Sequence, residues 1–186
     1  MRKLFLLFFI LFGAFSANAQ LKFGAGGGIN MSSLRGDIDN PKSLTGFNGG
    51  FMLEVKAPAV VGVELDVLYS TKGATYEISN PITSGDFTLN LTYIDFPLMV
   101  KLYSAKIMSL QLGAQYSFLM AADFEGTDVK DQLKGTDLAA VVGLGIDISK
   151  FHFSTRYAYG LTTIDDNGAD VKNGMLTITA GFWIKN

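Results

Sequence analysis

Cysteine is absent, histidine occurs once, and only 17% of the 186 residues are charged. Without cysteine, the chain is neither a lipid-anchored protein nor a disulfide-stapled secreted domain. The lone histidine, His152, is the single candidate for histidine-based catalysis, and no serine or aspartate is spaced to complete a triad with it. An interior histidine with satisfied ring nitrogens is the better reading. A basic excess is also missing, with 15 Lys and Arg against 17 Asp and Glu, which argues against a nucleic-acid partner. Beyond the amino terminus no apolar run approaches the ~20 residues that a membrane helix needs. If the chain lives in a bilayer it does so as a closed barrel, because only helices and closed barrels satisfy their backbone polar groups there.

The amino terminus reads as a secretory signal. Arg2 and Lys3 precede a nearly unbroken apolar run from Leu4 to Phe15, and Ala17-Asn18-Ala19 places small residues where a signal peptidase reads. The expected division is a signal peptide over residues 1–19 and one domain over residues 20–186, with a net charge of −4 from 13 basic and 17 acidic residues.

That domain alternates with a period of two. The stretch Tyr93-Ile-Asp-Phe-Pro-Leu-Met-Val-Lys-Leu-Tyr103 has Ile94, Phe96, Leu98, Val100 and Leu102 on one face. Asp95, Pro97, Met99 and Lys101 lie on the other, so this is a strand between two unlike environments. Seven further stretches behave alike, which predicts an all-β, eight-stranded antiparallel up-and-down barrel. The expected connections alternate between long polar loops, 33–43, 71–86, 121–136 and 162–173, and short turns at Ala57-Pro58-Ala59, Ser104-Ala105-Lys106 and Ser149-Lys150. Upstream in the central strand the apolar parity passes to Phe87, Leu89 and Leu91, and a bulge near Thr92–Tyr93 would bring both halves onto one apolar face. The glycine run Gly24–Gly28 lacks the lysine and helix of a phosphate loop and fits a barrel interior too tight for side chains.

An eight-stranded alternating pattern also describes a soluble, lipocalin-like barrel around a ligand. Three features favour lipid outside. The polar faces are rich in Gly, Ser, Thr and Gln rather than Lys and Glu; the long-loop, short-turn alternation is that of outer-membrane barrels; and aromatics form two bands. The loop-side band is Tyr69, Phe87, Tyr116, Phe118 and Tyr159, and the turn-side band is Phe23, Phe51, Tyr103, Phe151 and Phe182. The signal segment, the Gly-rich first strand and the run from Phe96 to Lys101 resemble the PorT-like outer-membrane β-barrel family of Gram-negative bacteria. That resemblance implies an outer-membrane location and an association with protein secretion.

Charges of both signs share the inward parity. Glu54, Glu64, Asp66, Asp95 and Asp147 face Lys22, Lys56, Lys101, Arg156 and Lys185. Buried charges need partners, so the expectation is an ion-paired interior without an open pore, in which Arg156 meets at least one of Glu64, Asp66 and Asp95. Asp37 and Asp39, and Asp165, Asp166 and Asp170, lack the spacing of a calcium loop, and solvated turns are the default. The expected protein is non-enzymatic and cofactor-free, with lipid around its wall and a possible protein partner on its four loops.

Overall fold

The computed structural model describes residues 20–36, 41–57, 60–79, 84–104, 107–164 and 170–185, and nearly all of them lie in strands. In chain order these are β1 (Gln20–Gly36), β2 (Lys42–Lys56), β3 (Val61–Ser79), β4 (Ser84–Ser104), β5 (Met108–Phe124), β6 (Thr127–Asp128), β7 (Thr136–Ile148), β8 (Phe151–Gly160) and β9 (Val171–Lys185). β6 is a two-residue spur folded back on the end of β5, followed by a single 3-10 turn over Lys130–Gln132. The other eight strands form one antiparallel sheet, and the β1–β9 and β4–β5 pairings close it into a barrel.

Alternation assigns the two surfaces. Along β8, Phe151, Phe153, Thr155, Tyr157 and Tyr159 are exposed, while His152, Ser154, Arg156, Ala158 and Gly160 are buried. Leu21, Phe51, Leu98, Leu144 and Ile184 likewise point outward. The apolar face is therefore outside, which overturns the lipocalin-like alternative, since that needs the same face around a ligand. Over its turn-side half the sheet presents a hydrocarbon-compatible wall, and the charges at that depth lie within.

The glycine run answers to both the lumen and the closing seam: a methyl group on Gly24 would lie 2.8 Å from the Trp183 ring inside the barrel. A methyl group on Gly28 would lie 1.8 Å from the Ile178 carbonyl oxygen of β9, so the constraint is the approach of a neighbouring backbone. At Gly73 the backbone has φ +153, and a side chain would meet the Leu89 carbonyl oxygen at 1.9 Å.

Strand lengths correct the expected loops. A membrane strand needs about 9–11 residues, and β8 with 10 falls within that range. β3 and β4, with 19 and 21 residues, run far beyond it at the loop end. Most of the segment 71–86 is thus a rising pair of strands, and β1, β2, β5 and β9 also extend into the expected loops 33–43, 121–136 and 162–173. The expected signal peptide over residues 1–19 lies outside the described residues.

β4 keeps one parity throughout. Leu89, Leu91, Tyr93, Asp95, Pro97, Met99, Lys101 and Tyr103 are all buried. A register shift does fall at Thr92/Tyr93, but the extra residue belongs to β5: Thr92 faces Ala121 and Tyr93 faces Leu119, leaving Met120 unpaired. Leu89 and Leu91 therefore point inward rather than joining the outer apolar face. Around them the outer positions Asn90, Thr92, Thr71 and Thr75 are polar. Tyr103 is likewise inside and only 6% exposed, so it is not part of the turn-side aromatic band. That band holds a stacked Phe23–Phe51 pair and an edge-on Phe151–Phe182 pair, and Phe47 stacks on Tyr69 nearer the loops.

Candidate functional site

Every interior polar residue here is delivered by period-two alternation, and the sites differ only in depth. At the turn end, Lys101 of β4 donates to Glu64 Oε2 at 2.7 Å and Glu54 Oε2 at 3.1 Å. Arg156 of β8 reaches across to β3, pairing through Nη2 with Glu64 and through Nη1 with Asp66 Oδ2 at 2.6 Å. Its Nε donates to Gln111 Oε1 at 2.7 Å. The planar guanidinium thus spends three donors on three acceptors, a geometry that an ammonium cannot reproduce.

Nearer the turns, Asp147 receives three groups. His152 Nδ1 lies 2.7 Å from Oδ1, the Trp183 indole donates to the same oxygen at 3.2 Å, and the Tyr103 hydroxyl lies 2.9 Å from Oδ2. That hydroxyl is also 2.5 Å from Glu54 Oε1. Lys22 stands 3.9 Å from both Glu54 and Asp147, and Lys56 lies 3.4 Å above the Tyr103 ring. Bare burial of such ions costs several kcal/mol each, and mutual pairing with full hydrogen bonding offsets it.

Of the residues expected in the charge network, Glu54, Glu64, Asp66, Lys101 and Arg156 meet in this one cluster. Asp95 does not. It takes Lys72 Nζ at 2.8 Å, with Ser117 Oγ 3.3 Å from the same ammonium. Lys72 falls within the segment expected as a loop, so this partner was missed. The inward parity of Glu64, Asp66, Leu68 and Ser70 continues unbroken to Lys72 and carried the signal.

Between the two clusters lies an amide and hydroxyl ladder. Asn30 Nδ2 shares its two hydrogens among Ser70 Oγ and the Thr71 and Phe47 carbonyls, and Asn30 Oδ1 accepts from Asn48 and Thr177. A cavity of about 20 Å³, lined by Asn30, Asp95, Gln115, Arg156 and Thr177 among others, has room for one water molecule.

The loop end is closed by hydrocarbon. Leu34, Ala74, Leu89, Leu91, Tyr93, Leu119, Ala122 and Ile164 form a buried cluster, with Phe124, Val129, Leu133 and Val171 packed on it. Ile164 enters from the segment after β8 and is pinned by backbone bonds to Lys134 and Val171. At its rim, Asp137 accepts from Thr162 and Asn173.

Little here resembles a reaction centre. His152 is fully buried against Asp147 and Trp183, its Nε2 has no partner among the described residues, and no described hydroxyl bonds to the ring. The expectation of two satisfied ring nitrogens is therefore half met. Among the described residues no group of three potential ligands could hold a metal ion. Asp37, Asp39, Asp165 and Asp166 lie outside the described residues, and Asp170 pairs with Lys172 at 2.8 Å.

Comparison with known proteins agrees with this architecture. A family model described as outer membrane protein beta-barrel domain matches residues 15–166. Neisserial surface protein A is similar in structure, with a TM-score of 0.61 at 14% identity over 89% of this chain and 98% of that one. Ail of Yersinia pestis, in a complex with the heparin analogue sucrose octasulfate, gives a TM-score of 0.53 at 20% identity over 89% and 99%. At such identities the likeness is one of fold. No curated protein sequence matches the chain.

Proposed function

The chain belongs to the outer membrane protein β-barrel domain family and resides in the outer membrane of a Gram-negative bacterium, and from that premise we propose that it is a non-enzymatic, closed barrel. Its role is to display its loop end as a structural or surface-interaction module. The observation that carries this is the double closure of the interior. Among the described residues an ion-paired cluster fills the turn end, hydrocarbon fills the loop end, and the cavity described between them has room for about one water. A sealed lumen leaves the two ends of the barrel as the surfaces on which a partner in water can act. Signal-peptide cleavage before Gln20 is part of the same reading.

The loop segments 33–43, 71–86, 121–136 and 162–173 carry eleven acidic and six basic residues, a net charge of −5. That sign repels a sulfated polyanion of the kind bound by Ail, so the partner that fits is neutral or basic. Reconstitution into planar bilayers should give no steady ion conductance, and a stable single-channel current would overturn the closed reading. Trypsin on intact cells should cut at Lys130 or Lys134 and spare Lys106 and Lys150; the reverse pattern would invert the topology.

A second reading makes the protein an accessory of a protein-secretion machine, on the resemblance of the Phe96–Lys101 run to PorT-like barrels. Lys101 has a structural reason to be where it is, since its ammonium joins Glu54 and Glu64. Co-purification of secretion components after mild detergent extraction would favour this reading over the first.

A further inference from the structure

Arg35 is out of keeping with the other cations of the barrel wall. It occupies an outward position on β1, is half-buried, and forms no ion pair with any described carboxylate. Its guanidinium lies 3.8 Å over the Tyr159 ring, and Nη2 donates to the Asn173 carbonyl oxygen at 3.2 Å. Nε is shielded from water and has no hydrogen-bond partner among the described residues. The surroundings hold the group in place. A side chain on Gly174 would meet Arg35 Nε at 2.9 Å and the Tyr157 hydroxyl at 3.2 Å, so the glycine leaves the trough in which the arginine lies beside that hydroxyl. On β9, Lys172 is the register partner of Arg35 and puts a second ammonium alongside.

Height matters as much as chemistry. Phe23 and Arg35 lie on the same outer face of β1, twelve residues apart. At ~3.3 Å per residue and a tilt of about 40°, that is a rise of about 30 Å, just past an apolar band ~25 Å tall. Tyr157 and Tyr159, exposed on the outer face of β8, stand where an aromatic belt meets headgroups. A positive, donor-rich group on a lipid-facing wall at this level faces headgroup phosphate rather than protein or bulk water.

We propose that Arg35, Lys172, Tyr157 and Tyr159 form a headgroup site that takes a phosphate of a lipid in the loop-side leaflet. The guanidinium meets the phosphate through Nη1, which has no hydrogen bond among the described residues and, unlike the shielded Nε, is not buried, while Nη2 keeps its bond to the Asn173 carbonyl. Lys172, now 2.8 Å from Asp170, turns to the phosphate as the second cation, and the tyrosine rings border the glycerol or sugar above the acyl chains. The site goes beyond the loop-display role and needs only that the barrel sits in a bilayer.

The chain has three arginines, and only Arg35 and Arg156 lie in the barrel, so arginine-labelled protein gives two barrel Nε–H signals. The test places labelled protein in phosphatidylcholine nanodiscs doped with increasing diphosphoryl lipid A. The Arg35 signal should move with the lipid fraction while that of Arg156, held by Gln111, Glu64 and Asp66, stays still. Arg35→Gln should lower the lipid A retained in native mass spectrometry about tenfold, as expected for one lost charge-assisted contact. An unmoved Arg35 signal, or undiminished retention by Arg35→Gln, would reject the site while leaving the membrane placement intact. The same shift from inorganic phosphate in lipid A-free discs would reject a lipid as the source. Should Arg35→Gln fail to refold, seen as loss of heat-modifiable migration, the titration of the unsubstituted protein decides alone.

Discussion

The two ends of this barrel solve opposite solvent problems with the same strands. In the turn-side half the outer positions are apolar and the inner ones ionic: Leu98, Val100 and Leu102 look out from β4 while Met99, Lys101 and Tyr103 look in. Ten residues upstream the relation inverts. Thr88, Asn90 and Thr92 look out, and Leu89, Leu91 and Tyr93 look in. Neither the strand nor its parity has changed; the medium outside it has. Within lipid, apolar groups gain nothing by turning inward, so the interior is free to hold ion pairs. Above the lipid the outside is water, and hydrocarbon is driven inward as in a soluble protein. The bulge at Met120 in β5 lies where the two regimes meet.

The sharpest way to break that contrast is to remove the cation that ties the turn-end cluster together. Arg156→Leu leaves Asp66 buried without a cation and Glu64 with Lys101 alone, which costs about 3–5 kcal/mol. Its unfolding midpoint in urea should fall far below that of Lys130→Leu, a loop control. Equal midpoints would mean that the cluster contributes nothing to stability. The loop end should respond to volume instead. Leu91 is 1% exposed in the hydrocarbon cluster, and Leu91→Ala should cost about 2–5 kcal/mol with little dependence on salt or pH. A loss of less than ~1 kcal/mol would mean that the upper cluster collapses freely or is not packed in the membrane-bound protein.

The same contrast marks what could be read from residue order alone. Period two, short turns and small inward residues suffice for eight strands, for the apolar face outside, and for the positions of Lys101, Glu64 and Arg156. What period two cannot report is the height at which lipid gives way to water. Leu89 and Leu91 therefore read as an outer face displaced by a bulge, when they are an inner face in a different medium. Lys72 was lost for the same reason, because strands that continue above the membrane lose their apolar outer face and resemble polar loops. Tyr103 was ambiguous in another way, since an aromatic near a strand end fits a girdle as well as a polar core. Its inward parity, shared with Lys101, was the better guide. The lone Trp183 carried no signal of its partner, because Asp147 lies two strands away across β8 and only the register of β7, β8 and β9 brings them together.

Two tyrosines of β4 give the smallest and most discriminating comparison. Tyr93 and Tyr103 share one strand and one inward parity, ten residues apart, and both are buried. At the turn end the Tyr103 hydroxyl sits between Glu54 and Asp147, at 2.5 and 2.9 Å. Tyr103→Phe removes a bond to a charged group and leaves carboxylate oxygens short of a donor, so it should cost about 1.5–3 kcal/mol. At the loop end the Tyr93 ring packs among Leu34, Leu91 and Leu119, while its hydroxyl has no partner among the described residues. Tyr93→Phe keeps the ring and deletes an unpaired polar atom, so its effect should stay within about 0.5 kcal/mol of zero or be slightly stabilising. Urea midpoints of the two variants in one lipid composition measure the difference directly. Equal losses would mean that the upper hydroxyl is bonded after all, with Asn173 Oδ1, the other unpaired oxygen of that rim, as the acceptor to which it turns. The loop end would then be a mixed core in which polar pairing as well as packing holds the barrel shut.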